Sequence, residues 1–220
     1  AMEEYFARIF RSSFIAKKLR SKKLVTSFVD SAPSLPQLFI IGKIYNETKN
    51  FDLVVWDSTQ TGKIEAFLKI PQIISDIKFG YFSKEAEKLY QQILNPNFTS
   101  FAIVTIPEEM AISETIDLFY SIDSIQKPYK GFIAVNKMEK TGLTEQEESF
   151  FAKCIKPTLN GNTNLAVADY YINLKNKQNL EIAPLANLDT IVFYIPYIRE
   201  KKEVLVKKIN ESFNKTLTAN

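Results

Sequence analysis

Few residues of this chain could do chemistry, and the best placed of them is Asp57. It closes the run Phe51-Asp52-Leu53-Val54-Val55-Trp56-Asp57 and is followed by Ser58-Thr59-Gln60-Thr61-Gly62. A carboxylate at the end of a buried strand, followed by a polar turn with glycine, can stand beside a hydrated Mg2+. The turn can then follow the γ-phosphate of a bound nucleotide. Histidine is absent, which removes Ser-His-Asp and Cys-His catalysis and most zinc sites together. The single cysteine, Cys154, lies among Phe150, Phe151 and Ile155 and is read as a buried structural thiol. No stretch of the chain reads G-x-x-x-x-G-K-[ST], the loop whose backbone amides and lysine cradle phosphates.

Composition sets the frame for these groups. The chain has 220 residues, 45% of them apolar, and a formal net charge of +3. That is enough chain for one domain with an independent core. Acids and bases are interspersed, so the concentrated basic face that nucleic acid requires is not expected. One cysteine, no visible signal peptide and no apolar run near the length of about 18 residues that spans a bilayer point to the cytoplasm. Ala1 reads as a tag remnant, so the reading starts at Met2.

The pattern of apolar residues predicts the elements that would position Asp57. Residues 3–23 carry Tyr5, Phe6, Ile9, Phe10, Phe14, Ile15 and Leu19 at helical spacing among many Lys and Arg. This is a basic amphipathic helix, packed on the core or set against a membrane surface or acidic partner. A short helix over 24–30 and one capped by Ser34 follow, so that 2–50 is a helical N-terminal segment before an α/β core over 51–215. Four strands are predicted, at 51–56, 101–106, 131–135 and 190–195, each continuous and apolar enough to be buried on both faces. Helices are predicted over 63–79 (bent or interrupted near Pro71), 83–94, 113–125, 145–156, 164–179 and 201–214, with frayed residues after them. Thr144-Glu145-Gln146-Glu147 is a capping-box pattern. Strands alternating with helices imply an α/β fold with a mainly parallel sheet. Right-handed crossovers then bring Asp57, Pro107 to Met110, Asn136 and Pro196-Tyr197 to one sheet edge, where open α/β sheets bind ligands. Asp57 as a helix cap, Asn136 as a turn residue and Pro196 as a strand terminator are the competing readings.

Three blocks in order carry a family resemblance. They are Phe51-Asp-Leu-Val-Val-Trp-Asp-Ser-Thr-Gln-Thr-Gly-Lys63, Val104-Thr-Ile-Pro-Glu-Glu-Met-Ala-Ile-Ser-Glu-Thr115 and Gly131-Phe-Ile-Ala-Val-Asn136. Together they resemble the ArsA-like anion-transporting ATPases, the family of the arsenical pump-driving ATPase and the ATPase that guides tail-anchored membrane proteins. The resemblance covers roughly residues 3 to 215. It implies a P-loop NTPase-like, SIMIBI-type sheet flanked by helices, with ATP and Mg2+ as ligands of the complete protein. Asp57 matches the acid that holds the water shell of Mg2+, and Thr61 and Gly62 match the switch loop. Asn136 matches a residue that contacts adenine, and Pro196 and Tyr197 match a loop that packs around the base.

This sequence also departs from the family. Gln60 stands where the family has Pro and Lys63 where it has His. The phosphate loop is missing, and with it the strand that normally lies between those at 51–56 and 101–106. The chain is therefore expected to be a single incomplete domain, the C-terminal portion of an ATPase, inactive alone and binding no cofactor tightly. An empty slot would expose strand edges, so a P-loop-bearing N-terminal segment or a second copy is the expected partner, by homodimerisation or strand exchange. A membrane-protein client is a further implied partner. The alternatives are a degenerate, non-catalytic ATPase-like module that binds or assembles, and an unrelated flavodoxin-like domain.

Overall fold

The structure is a computed structural model that describes residues 35–58, 61–76, 81–155, 163–199 and 202–219. The helices expected over 3–23 and 24–30 lie outside the described residues. Contacts divide the chain into two compact units, Ala1–Thr99 and Ser100–Asn220.

The described part of the first unit is helical, with α1 (Leu35–Glu47), α2 (Thr61–Asp76) and α3 (Tyr81–Leu94). Its core is built from residues at helical spacing: Ile64, Phe67, Leu68 and Ile70 on α2, and Ala86, Leu89 and Ile93 on α3. Tyr90 Oη donates to Gln72 Oε1 across the α2–α3 contact at 3.0 Å. Pro71 lies inside α2 and is fully buried. The helix runs through it, although proline removes the bond to residue i−4, so the expected interruption does not occur. α3 starts at Tyr81, which places Ser83 inside the helix rather than at its cap. It ends in an Asx turn in which Asn97 N–H donates to Asn95 Oδ1 at 3.0 Å.

The strand expected over Phe51–Trp56 does not form. No strand is assigned to residues 51–58, and Phe51, Leu53 and Val55 are 61%, 78% and 81% exposed. Half-buried Val54 and Trp56 alternate with them, and Trp56 packs on Phe67 with ring centroids 4.8 Å apart. The exposure pattern has the period of a strand, but a strand also requires a neighbour to exchange hydrogen bonds with. Among the described residues of this unit every element is a helix, and a run of apolar residues cannot create its own ladder.

The second unit is α/β. Strands β1 (Phe101–Thr105), β2 (Gly131–Met138) and β3 (Ile191–Pro196) form a parallel sheet in the order β1-β2-β3. Helix α4 (Glu109–Ile125) connects β1 to β2. Between β2 and β3 lie α5 (Glu145–Phe150), a π-helical turn (Phe151–Ile155), α6 (Thr163–Ile182) and a 3-10 turn (Ala183–Asn187). Helix α7 (Lys202–Ala219) closes the chain and stays helical over residues expected to fray. Central β2 is covered on both faces, with Ile133, Ala134 and Val135 almost fully buried. Phe213 of α7 covers Phe132 and Phe193 on one face. On the other face Thr105 Oγ1 donates to the Ala111 carbonyl of α4 at 3.2 Å.

The outer strands differ from the sequence expectation. β1 and β3 each alternate buried and exposed side chains, and Val104 is 64% exposed. Gly131 is required by close approach: a Cβ there would overlap the Phe101 carbonyl oxygen, which also accepts from Tyr129 Oη at 3.0 Å. The capping box at α5 forms as the sequence indicates, with Thr144 and Glu147 bonding each other's backbone N–H. The π turn after α5 changes the helical phase. Phe151 is buried and Cys154 faces solvent, contrary to the buried thiol expected.

Candidate nucleotide site

Because the three strands are parallel, their C-terminal ends share one edge of the sheet, and each end carries residues singled out by sequence. β1 leaves through Ile106 and buried Pro107 into α4, whose first turn holds exposed Glu109. β2 ends in an irregular stretch. Val135 faces Tyr194 and Met138 faces Pro196, so one more residue stands on β2 than on β3. This is a bulge containing Asn136 and Lys137. Lys137 adopts φ 60, a left-handed conformation that few non-glycine residues take.

Asn136 is half-buried, and its Oδ1 accepts from Lys137 N–H at 2.9 Å. That bond occupies the amide oxygen, and Nδ2 has no hydrogen-bond partner among the described residues. Pro196 is the last residue of β3 rather than a residue beyond it. Its missing N–H is tolerated because β3 is an outer strand. Tyr197 then continues the pairing by donating its N–H to the Met138 carbonyl at 2.8 Å. The fold thus places Asn136, Pro196 and Tyr197 together on adjacent strand exits.

Residues that sequence reasoning did not select frame these three. Gln178 of α6, only 9% exposed, accepts Glu139 N–H at 2.8 Å and donates to the Lys137 carbonyl at 3.3 Å. Arg199 donates to Glu139 Oε1 at 3.2 Å and to Tyr171 Oη at 3.1 Å. Its guanidinium lies over the Tyr197 ring at 5.0 Å and the Tyr171 ring at 5.5 Å, as a planar cation stacks on aromatic faces. Nothing local in sequence marks Gln178, because its partners are backbone groups 39 and 41 residues away.

The other predicted residues belong to the first unit. Asp57 is exposed and follows the unpaired run, and Thr61 and Gly62 are the first two residues of α2. Their backbone N–H groups are among the four that a helix start leaves without helical partners. Gln60 lies outside the described residues. Mg2+ keeps most of its water and takes one or two carboxylates together with phosphate oxygens. A lone exposed Asp57 fits an outer-sphere role, but the chain brings no inner-sphere Ser or Thr from a phosphate loop. Among the described residues no cluster of three or more His, Cys, Asp or Glu could hold a metal, and no helix is long and apolar enough to cross a membrane. A hollow of about 390 Å3 is lined by Leu143, Gln146, Glu147, Phe150 and Phe151 and includes none of the predicted residues.

Comparison with known proteins bears on this geometry. The chain is 25% identical over 156 residues to ATPase BagA of Mycobacterium tuberculosis, covering 67% of this chain and 45% of that protein. It is related to ATPases. The ATPase ASNA1 homolog of Entamoeba histolytica is 20% identical over 193 residues, covering 72% of this chain and 58% of that protein. Its counterpart in Entamoeba dispar is 23% identical over 138 residues, covering 47% and 42%. These distant similarities support an ArsA-like ATPase relationship, and the chain spans about half the length of the curated relatives it matches. No family model matches.

Proposed function

We propose that this chain is the C-terminal portion of an ArsA-like ATPase. It supplies the base side of a Mg·ATP switch and one carboxylate of the metal side. The observation that carries the reading is the edge of the parallel sheet, where Asn136, Pro196 and Tyr197 stand on neighbouring strand exits joined by the Tyr197 N–H to Met138 carbonyl bond. In this reading Asn136 Nδ2 donates to an acceptor on the purine, while Pro196 and Tyr197 flank its ring. Asp57 orders the waters of Mg2+, and the first N–H groups of α2, at Thr61 and Gly62, respond to the γ-phosphate. ATP supplies the phosphoryl group that hydrolysis releases.

The phosphates themselves need a loop that these 220 residues do not encode. It comes from a further P-loop-bearing polypeptide; a second copy of these residues can lend a strand to the sheet but not the loop. Positioning and charge neutralisation supply most of this catalysis, so the chain alone hydrolyses no appreciable ATP. The complete switch works in the cytoplasm on a membrane-protein client or an extruded anion. The test is reconstitution with a polypeptide that carries G-x-x-x-x-G-K-[ST], sought upstream in frame or in a neighbouring gene. Turnover should appear, and Asp57→Asn should reduce it by about 100-fold or more, the scale of a lost electrostatic contact in a transition state, with unfolding unchanged. Undiminished turnover in that variant removes Asp57 from the metal side.

A second reading has its own observation. Phe51, Leu53 and Val55 form an exposed apolar row directly before Asp57, which favours a non-catalytic module that binds a partner through this segment. Failure of any phosphate-loop polypeptide to restore turnover supports it.

A further inference from the structure

The β2 exit is held by more bonds than a strand end needs. Lys137 N–H is bonded by Asn136 Oδ1, the Met138 carbonyl by Tyr197 N–H, and the Lys137 carbonyl and Glu139 N–H by the two ends of one side chain, Gln178. Lys137 stands at φ 60, a conformation that persists in a non-glycine residue only where its surroundings over-determine it. Gln178 spans that residue, with one contact on each side.

We propose that Gln178 is a positioning residue for nucleotide recognition: by bridging Lys137 and Glu139 it locks the bulge that turns the Asn136 amide toward the base. The inference rests on the base-side reading of Asn136. Side chains alternate along a strand, so a bulge that gains or loses its extra residue re-aims the side chain beside it. Gln178 has both a donor and an acceptor and uses both. A leucine of similar size keeps the packing and removes both bonds. A glutamate keeps the bond from Glu139 N–H and removes the donor to Lys137.

Photolabelling with 8-azido-ATP at millimolar concentration, mapped by mass spectrometry to the peptide containing Tyr197, reads base-side binding in the full chain even when affinity is weak. Asn136→Ala and Gln178→Leu should each lower the labelling about fivefold, the scale of one or two hydrogen bonds, and Gln178→Glu should fall between Gln178→Leu and the unaltered chain. Glycine adopts positive φ without strain, so Lys137→Gly added to Gln178→Leu should restore labelling to within about twofold of the unaltered chain, an effect that general destabilisation does not produce. If Gln178→Leu labels like the unaltered chain while Asn136→Ala does not, or if Lys137→Gly restores nothing, Gln178 has no positioning role and the base reading stands. If Asn136→Ala labels normally, or the unaltered chain is not labelled at Tyr197, the base reading itself fails and this proposal with it.

Discussion

The run 51–56 and the strand β2 look alike in sequence and end differently in structure. Both carry an apolar run rich in residues that favour strands, followed by a polar side chain, Asp57 after 51–56 and Asn136 after 131–135. β2 lies between two parallel neighbours and buries Ile133 and Val135 completely. The run 51–56 has no ladder, and Leu53 and Val55 stay about four-fifths exposed. The difference lies in the neighbours, not in the residues. A strand is a property of a pair, whereas helices such as α2 and α3 satisfy their own backbone and need only one apolar face covered.

The sharpest way to break this comparison is to truncate one β-branched side chain to alanine in each region. Ile133→Ala should lower the stability of the chain by about 2–5 kcal/mol, because it opens a cavity in a closed core. Val55→Ala should change it by less than about 0.5 kcal/mol, since an exposed side chain loses little. Urea unfolding followed by circular dichroism reads both. A cost at Val55 approaching that at Ile133 would mean that the 51–56 run is packed as a strand after all.

This contrast explains what was legible in the sequence. The α/β class, the parallel sheet and the helices α1 to α7 follow from periodicity, and the Thr144–Glu147 capping box follows from four adjacent residues. Pairing partners are not written locally, which is why the strand at 51–56 was expected and did not form. The same limit hid the one-sided burial of β1. At the candidate site, the positions of Asn136 late in β2 and of Pro196 and Tyr197 at the end of β3 follow from the strands predicted over 131–135 and 190–195. Gln178, Tyr171 and Arg199 were not legible, because they act through groups that only the fold brings near. Cys154 was misread because a π turn shifts the helical phase by a fraction of a turn that periodicity does not encode.

A smaller effect refines the account of the sheet unit. The Glu148 carboxyl is held below the usual carboxylate range, first by the Lys175 ammonium, which donates to both its oxygens at 2.9 and 3.0 Å, and then by the Thr141 hydroxyl. A carboxylate whose pKa is lowered by folding stabilises the fold fully above its unfolded value, about 4.3. That contribution is lost as pH falls through the lower folded value. Glu148→Gln should therefore cost about 1 kcal/mol at pH 7, as for a partly exposed ion pair, and the difference from the unaltered chain should shrink below pH 4. A cost that does not change with pH would assign the effect to packing rather than to charge.

The central proposal is that this chain carries the base side of a nucleotide site and not its phosphate anchor. Isothermal titration of the 220-residue chain with Mg·ATP tests it most directly. The account predicts no saturable binding below about 1 mM, since the missing loop provides most of the grip on phosphate. Saturable binding at micromolar nucleotide would contradict it, because the chain would then hold the phosphates with groups of its own.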